Sequence, residues 1–157
     1  MKIYKRTDFD FWTTINTHWG DMDGLRHINH AKYLTYMETA RLDLYQKLGH
    51  DMERWDMDSS SILASMEVNY LEQVAHPAVL EVGQRVSRIG TKSYDILTTI
   101  FKEGGDSPIL QANFILVSIN YKTGKTVLCN IKIFESNSFR NCEKSILSNK
   151  SVNLKFS

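Results

Sequence analysis

One apolar stripe with helical spacing, and no second strong one after it, most constrains the fold of this 157-residue chain. Between about Ala31 and Leu48, apolar residues recur every three or four positions, which predicts a long amphipathic helix. Asn29 is expected to cap its N-terminus, and Gly49 is expected to end it. The stripe consists of Tyr33, Met37, Ala40, Leu44 and Leu48, and Leu34 and Tyr36 widen it.

Four strand candidates follow this helix, and turn residues separate them. They span Ile62–Gln73, Val79–Ile89, Ser93–Lys102 and Ile109–Tyr121. An aromatic and β-branched run over residues 9–18 predicts a further strand before the helix. The short breaks favour antiparallel pairing. One long helix and about five long strands predict an α+β fold in which the helix covers one face of the sheet.

The strand rhythm weakens after Leu128. Residues Ile131–Phe134 are a candidate for a last short strand. Beyond them, Ser, Asn and Lys dominate, and apolar residues are too sparse to define a core face. We therefore expect a single domain over residues 1–135 and a polar C-terminal extension over residues 136–157, as a weak helix or tail.

Charge and composition exclude several classes of function. Lys and Arg total 19 and Asp and Glu total 18, so bulk charge does not favour nucleic acid or an anionic membrane as partner. No stretch approaches the roughly 18 apolar residues of a membrane span. Cys129 and Cys142 form no metal or redox motif, and two reduced thiols indicate a cytoplasmic protein.

The densest polar cluster lies directly before the helix. It contains Asp21, Asp23, His27 and His30. A helix N-terminus presents unpaired N–H groups and partial positive charge, so a nearby carboxylate could act as base or nucleophile while the N–H groups hold an oxyanion. The spacing alone equally suits a loop built for turns and capping. It also suits two metal ligands, but no third ligand stands at a recognisable spacing, and we predict no metal site.

Three strings in this region resemble a known family. They are Trp-Gly-Asp-Met-Asp (residues 19–23), His-Ile-Asn-His-Ala-Lys-Tyr (27–33) and Tyr-Met-Glu-Thr-Ala-Arg (36–41). They are similar to the hotdog-fold acyl-CoA thioesterases of the 4-hydroxybenzoyl-CoA thioesterase-like family. Less specific matches follow in the family's order, over roughly residues 9–127 in all. The resemblance implies a long central helix wrapped by a five-stranded antiparallel sheet, and hydrolysis of acyl-CoA to free acid and coenzyme A, with no cofactor.

The resemblance also implies roles for residues of the loop. The second Asp of the Gly-Asp-x-Asp string corresponds to Asp23, which would attack the thioester carbonyl or activate a water. The backbone N–H of His30 would polarise the carbonyl. His27 and Asn29 would shape the loop or orient substrate and water, although His27 could instead be a packing residue. For Asp21 we expect a structural role, in which it accepts backbone N–H bonds.

Other substrate contacts are implied farther along the chain. A backbone N–H at Ser60 or Ser61 would reach an active site shared between subunits, which implies a homodimer or homotetramer. Coenzyme A phosphates would lie near the turn between the third and fourth strands, at Arg88, Lys92 and Ser93. Arg88 could supply a forked donor pair and Lys92 a point charge, although both could equally be ordinary turn residues.

The sequence departs from the family at Arg26, where most relatives carry Gly. A glycine there implies special backbone freedom or close approach of the substrate. Arg26 could narrow the acyl pocket, pair with Asp21 or Asp23, or favour an anionic acyl group. If it disables the site, the chain would be a non-hydrolytic acyl-CoA-binding or regulatory protein. A thioesterase acting on acyl carrier protein is a further alternative.

Overall fold

The computed structural model describes residues 2–49, 58–129 and 143–144. One α-helix, α1, spans His30–Lys47. The long strands are β1 (Phe11–Asn16), β2 (Ser59–Tyr70), β3 (Val79–Ile89), β4 (Ser93–Lys102) and β5 (Pro108–Asn120). Two-residue strands, β6 (Lys125–Thr126) and β7 (Glu143–Lys144), complete the described sheet.

The long strands form one sheet in the order β1-β3-β4-β5-β2. Every neighbouring pair among these five is antiparallel. β6 pairs with β5, and β7 runs parallel to the end of β3. The order leaves β2 at one edge of the sheet. One helix against a curled five-strand antiparallel sheet is the hotdog architecture that the resemblance implied, so the predicted fold is confirmed.

The predicted helix is confirmed to within one residue at each end. The Asn29 side chain accepts a hydrogen bond from the Ala31 backbone N–H at 2.9 Å, as a capping residue should. Gly49 ends the helix with a φ of 84°, a conformation that glycine adopts without a Cβ clash. Every residue of the predicted stripe is buried, from Tyr33 to Leu48. The stripe packs on the sheet's inner face, against side chains such as Leu80, Val82, Ile96, Ile100 and Phe114.

The predicted long strands are all present, and the bounds of β2 differ most from the prediction. β3 and β4 have the predicted bounds, and β5 is displaced by one residue. β2 begins and ends three residues earlier than predicted. Its ladder ends because the N–H groups of Leu71 and Glu72 both donate to the single carbonyl of Ile109. Its polar first residues, read from the sequence as a connection, pair with the end of β5.

The remaining C-terminal predictions fall largely outside the described residues. The candidate strand Ile131–Phe134 lies there, and so does the predicted extension apart from β7. Helix α1 is the longest helix in the described ranges, and no helix there is both long and apolar enough to cross a membrane.

Candidate active site

Asp21 anchors the loop that precedes α1. Only 6% of this residue is exposed, and its Oδ2 accepts hydrogen bonds from the His18 backbone N–H at 2.7 Å and from the Tyr36 hydroxyl at 2.6 Å. The Lys32 ammonium lies 3.2 Å from Oδ1. Since Lys32 and Tyr36 belong to the first two turns of α1, these contacts hold the loop against the start of the helix. They agree with the structural role predicted for Asp21.

The same contacts determine the charge of Asp21. Burial by itself raises the pKa of the carboxyl, but the donors from Tyr36, His18 and Lys32 outweigh it and lower the pKa to about 2. Burial and the adjacent carboxylate raise the pKa of the Tyr36 hydroxyl. Asp21 is therefore ionised at neutral pH and engaged by its neighbours, which makes it a poor candidate for attack on a substrate.

Asp23 lies in a tight hairpin that Met22 and Ile28 close through an antiparallel bridge. Its backbone N–H donates to the His27 carbonyl at 2.9 Å. Its carboxylate Oδ1 accepts the Leu25 backbone N–H at 2.8 Å, which fixes the side chain on the loop. Within the described ranges no donor engages Oδ2. Asp23 thus combines a held carboxylate with an oxygen that is available for chemistry.

Arg26 occupies a backbone position whose conformation favours glycine. Its φ of 66° lies in the left-handed region, which an L-residue with a Cβ adopts at an energetic cost. Its backbone N–H donates to the Asp23 carbonyl at 3.0 Å and closes the turn. The exposed Arg26 guanidinium makes no ion pair with Asp21, Asp23 or any other described residue. Of the roles that the sequence suggested for this position, the need for backbone freedom agrees with this φ, and the ion pair with Asp21 or Asp23 is not formed among the described residues.

The N-terminus of α1 has one open donor beside this loop. The Ala31 N–H is taken by Asn29 Oδ1 and the Lys32 N–H by the Asn29 carbonyl, both at 2.9 Å. The Asn29 N–H donates to the Asp21 carbonyl at 2.9 Å, which joins the loop to the helix start. No acceptor among the described residues engages the His30 N–H. It is a free donor at the positive end of the helix, as an oxyanion contact requires.

The two histidines of the loop have different surroundings. His27 is half-buried and contributes its carbonyl to the hairpin. The His30 side chain is exposed, and its ring lies edge-on to the Tyr70 ring at 6.5 Å between centroids. The Tyr70 hydroxyl donates to the His30 carbonyl at 3.1 Å. Over the part of the chain that the structure describes, no three His, Cys, Asp or Glu side chains are grouped to hold a metal.

The other predicted site residues lie at the opposite end of the sheet. Ser60 and Ser61 lie directly after the first residue of β2, whereas Tyr70, which contacts the helix N-terminus, ends the strand. About ten residues of extended strand separate these ends by about 30 Å. Ser61 pairs with Ser118, whose N–H donates to the Lys92 carbonyl at 2.9 Å. The turn between β3 and β4 therefore lies at the same end of the sheet as Ser60 and Ser61. Within one chain, these residues are at the other end of β2 from the Asp23 loop.

Arg88 is already engaged in that second group. Its guanidinium binds Asp95 through two donors, Nε to Oδ2 at 3.0 Å and Nη2 to Oδ1 at 2.6 Å, and Nη2 also contacts Ser93 Oγ at 3.2 Å. The donor fork predicted for a phosphate thus faces a carboxylate of the same chain. Lys92 is exposed and contacts only the Thr126 hydroxyl, at 3.3 Å, among the described residues. Of the two cations at this turn, Lys92 therefore has fewer contacts with described residues and is more available to a ligand.

Sequence reasoning missed three contributors to these sites. Tyr36 was expected only as a core residue, because its hydroxyl partner Asp21 lies on a separate loop. Tyr70 was expected only as part of a strand. The ion pair between Arg88 and Asp95 could have been predicted from the sequence, because the short turn between β3 and β4 places these two positions opposite each other on a hairpin.

Comparisons with known proteins agree with this fold. A family model described as "Thioesterase-like superfamily" matches residues 17–135, which include the Asp23 loop, α1 and the long strands after it. The PA5185 protein of Pseudomonas aeruginosa has a similar structure, with a TM-score of 0.77 and 23% identity over 84% of this chain and 92% of that chain.

Two further solved structures are similar at 25% identity. The PA2801 protein of Pseudomonas aeruginosa has a TM-score of 0.73 and 25% identity, covering 80% of this chain and 95% of that chain. A DHNA-CoA thioesterase from Staphylococcus aureus has a TM-score of 0.71 and 25% identity, covering 80% of this chain and 88% of that chain. These likenesses support thioester hydrolysis as the general chemistry. Because the family model covers most of its length, this chain belongs to the thioesterase-like superfamily.

Proposed function

We propose that this protein hydrolyses an acyl-CoA thioester to a free acid and coenzyme A, with Asp23 as the catalytic carboxylate. The observation that carries the proposal is the combination of a loop-held Asp23 carboxylate with an open His30 N–H. Both belong to one short segment, which Asp21 binds to the start of α1. Acyl transfer needs such a pair, because one group must attack or activate water while the other stabilises the developing oxyanion.

The proposed reaction breaks the carbon–sulfur bond of the thioester. The His30 N–H polarises the carbonyl and holds the negative charge of the tetrahedral intermediate. Asp23 Oδ2 either takes a proton from the attacking water or attacks the carbonyl itself, forming an anhydride that water then hydrolyses. Coenzyme A leaves as the thiolate in both routes. The Asn29 side chain uses Oδ1 for capping, so its amide Nδ2–H groups are available to orient substrate or water.

A second copy of the chain would complete this site. β2 is a sheet edge, and a strand edge pairs readily with another strand. Its exposed apolar side chains include Leu63, Met66 and Tyr70. Antiparallel pairing of two β2 edges would bring Ser60 and Ser61 of a second copy toward the Tyr70 end of the first. This arrangement would bring together the two groups of predicted site residues, which lie at opposite ends of the sheet within one chain.

Coenzyme A would then lie between the two groups. Its phosphates would meet Lys92 rather than the donor fork of Arg88, since Asp95 occupies that fork. The thioester would lie at the Asp23 loop, beside the exposed side chains of Trp19 and Leu25. An intracellular coenzyme A ester fits the cytoplasmic location that the sequence predicts.

The proposal is tested by thiol release from a panel of acyl-CoA substrates. Wild-type protein should release thiol from at least one, and Asp23→Asn should lower kcat/KM by a factor of about 10² to 10⁴. Asp106→Asn is the matched control, because this exposed aspartate lies in the turn between β4 and β5 and should leave activity unchanged. Full activity in Asp23→Asn contradicts the catalytic assignment. Tight acyl-CoA binding by wild type without turnover would favour the non-hydrolytic alternative.

A further inference from the structure

A polar pocket of about 510 Å³ opens on the sheet face opposite α1. Its walls come from β2 to β5 and from the N-terminal segment, not from the loop that carries Asp23. A volume of this size accommodates a small organic molecule. The register across the sheet brings four of its lining residues into one transverse row, ordered Arg85, Leu97, Asn113 and Glu67.

Among the arginines that the structure describes on this face, Arg85 is the one without a carboxylate partner. Arg6 pairs with Glu81 at 2.7 Å and Arg88 with Asp95 at 2.6 Å, and both lie on the same side of the sheet. Arg85 is half-buried and makes no ion pair with any described residue. Its Nε is buried without a hydrogen-bond acceptor among them. A guanidinium donor that is shielded from water and unpaired is costly, so its partner is expected to be an anion from outside the chain.

The Arg85 guanidinium is partly shielded from water by Tyr4 and lies near polar side chains of the pocket. The Tyr4 ring lies 5.7 Å from the guanidinium carbon and covers one side. The arm that carries Tyr4 is held down by Gln111, whose side chain accepts the Tyr4 N–H at 2.7 Å and donates to the Lys2 carbonyl at 3.0 Å. Gln111 is thereby satisfied. Within the described ranges the Asn113 side chain has no hydrogen-bond partner, so its amide remains available in the pocket.

Two further polar groups lie on this face, and the charged one stands far from Arg85. Thr99 Oγ1 is the other buried side-chain atom without a partner among the described residues, and Thr99 pairs across the sheet with Gln111. The carboxylate of Glu67 stands at the far end of the row, about three strand spacings or about 14 Å from Arg85. It accepts the Asn69 side-chain amide at 3.3 Å. The Arg85 end of the pocket is therefore positive.

We propose that this pocket binds a small organic anion, with Arg85 holding its carboxylate or phosphate and Asn113 donating a second hydrogen bond. The site is separate from the proposed catalytic loop and does not depend on thioester hydrolysis. An arginine is suited to this role because its planar fork matches both kinds of anion. Lys2, at the rim, would add a second positive charge.

The test is calorimetric and NMR titration of the full-length protein with citrate and, separately, inorganic phosphate. Binding of either should shift the Arg85 Nε–H and Asn113 side-chain amide resonances. The probe that binds tighter distinguishes carboxylate from phosphate recognition. Arg85→Gln should weaken binding by about tenfold or more, while Arg85→Lys, which keeps the charge, should retain part of it. Lys102→Gln removes an exposed cation paired with Glu72 and should leave binding unchanged.

Three outcomes would overturn the proposal. The first is that neither probe binds to wild-type protein. The second is binding that Arg85→Gln leaves intact. The third is a set of shifts confined to Lys92 and the turn around it, which would assign the anion to the proposed coenzyme A contact instead. Loss of thiol release in Asp23→Asn should leave citrate or phosphate binding unchanged, so the two proposals fail independently.

Discussion

The Tyr36 hydroxyl donates a 2.6 Å hydrogen bond to Asp21 Oδ2, and this contact joins the second turn of α1 to the loop that carries Asp23. Both residues are buried. Because the acceptor is ionised and shielded from water, the bond is of the stronger, charge-assisted kind. It positions the candidate catalytic loop without itself touching the reacting atoms.

Removing this hydroxyl should destabilise the protein. We expect Tyr36→Phe to lower the free energy of unfolding by about 1.5–3 kcal/mol, the range for hydrogen bonds to charged groups. Urea unfolding measures the change. Tyr45→Phe is the control, because the Tyr45 hydroxyl bonds the neutral Tyr94 hydroxyl at 2.7 Å and should matter less. Equal losses in the two variants would contradict a special contribution from the Asp21 contact.

The low pKa of Asp21 predicts a pH dependence of stability. The pKa falls from 3.8 to about 2 on folding, so Asp21 contributes its full stabilisation above about pH 5 and loses it as the pH drops from about 5 to about 2. The expected size is about 2 kcal/mol. Unfolding at several pH values, in wild type and Asp21→Asn, isolates the effect. A stability difference between the two that stays constant down to pH 2 would refute it.

The left-handed backbone of Arg26 predicts a stabilising substitution. Arg26→Gly should raise the free energy of unfolding by about 1 kcal/mol, because glycine adopts a φ of 66° without a Cβ clash. Arg26→Ala removes the same charge but keeps the Cβ, so it should give little or no gain. Thermal and urea unfolding compare them. If alanine stabilises as much as glycine, the cause is the lost side chain and not the backbone.

The Arg88–Asp95 pair predicts that Arg88 acts on stability more than on substrate binding. Arg88→Gln should lower unfolding free energy by about 1–3 kcal/mol, since it leaves a largely buried carboxylate unpaired. The double variant with Asp95→Asn should lose less. The same pair gives a prediction on substrate binding. If coenzyme A phosphates contact Lys92, Lys92→Gln should raise the KM for acyl-CoA severalfold, whereas Arg88→Gln should change this KM little. A larger rise in KM for Arg88→Gln would restore the phosphate role of its fork.

The exposed edge of β2 predicts how the subunits pair. Met66 is 46% exposed in one chain, so Met66→Lys should introduce a charge into the proposed interface, lower the mass in sedimentation velocity and reduce thiol release. Leu42→Lys is the control, because Leu42 is 43% exposed on α1 and the same charge there should leave the β2 pairing intact. Dissociation by the control alone would place the interface on the helix.

Local pattern was enough to predict most elements of the fold. The helix was predicted closely because its apolar stripe, its capping Asn29 and its terminal Gly49 are all read within a few residues. β3 and β4 were predicted to the residue because turn residues bound them on both sides. β2 was placed three residues too late, since its polar start becomes a strand only through pairing with β5.

The residues of the candidate site also differ in how far the sequence alone could predict that they lie together. Asp23, His27, Asn29 and His30 lie within one short segment, so their proximity was evident before the fold was known. The separation of Arg88 from this segment depends on the strand order, which no local pattern contains. The hydrogen bond from the Tyr36 hydroxyl to Asp21 and the pocket around Arg85 could not be predicted from the sequence either, because both bring together segments that are distant in the chain.

The sequence by itself determined the helix, the number of long strands and the residues of the loop before the helix. Hydrophobic periodicity and turn residues are properties of neighbouring positions in the chain, so they can be recognised without knowing which segments pack against each other. Only the tertiary structure decided that Asp95 occupies the donor fork of Arg88, that Arg85 faces a pocket with no carboxylate partner among the described residues, and that Ser60 lies at the other end of β2 from the Asp23 loop. These relationships follow from which strands pair and in what register, because pairing sets both the opposed residues and the end of the sheet where each strand finishes.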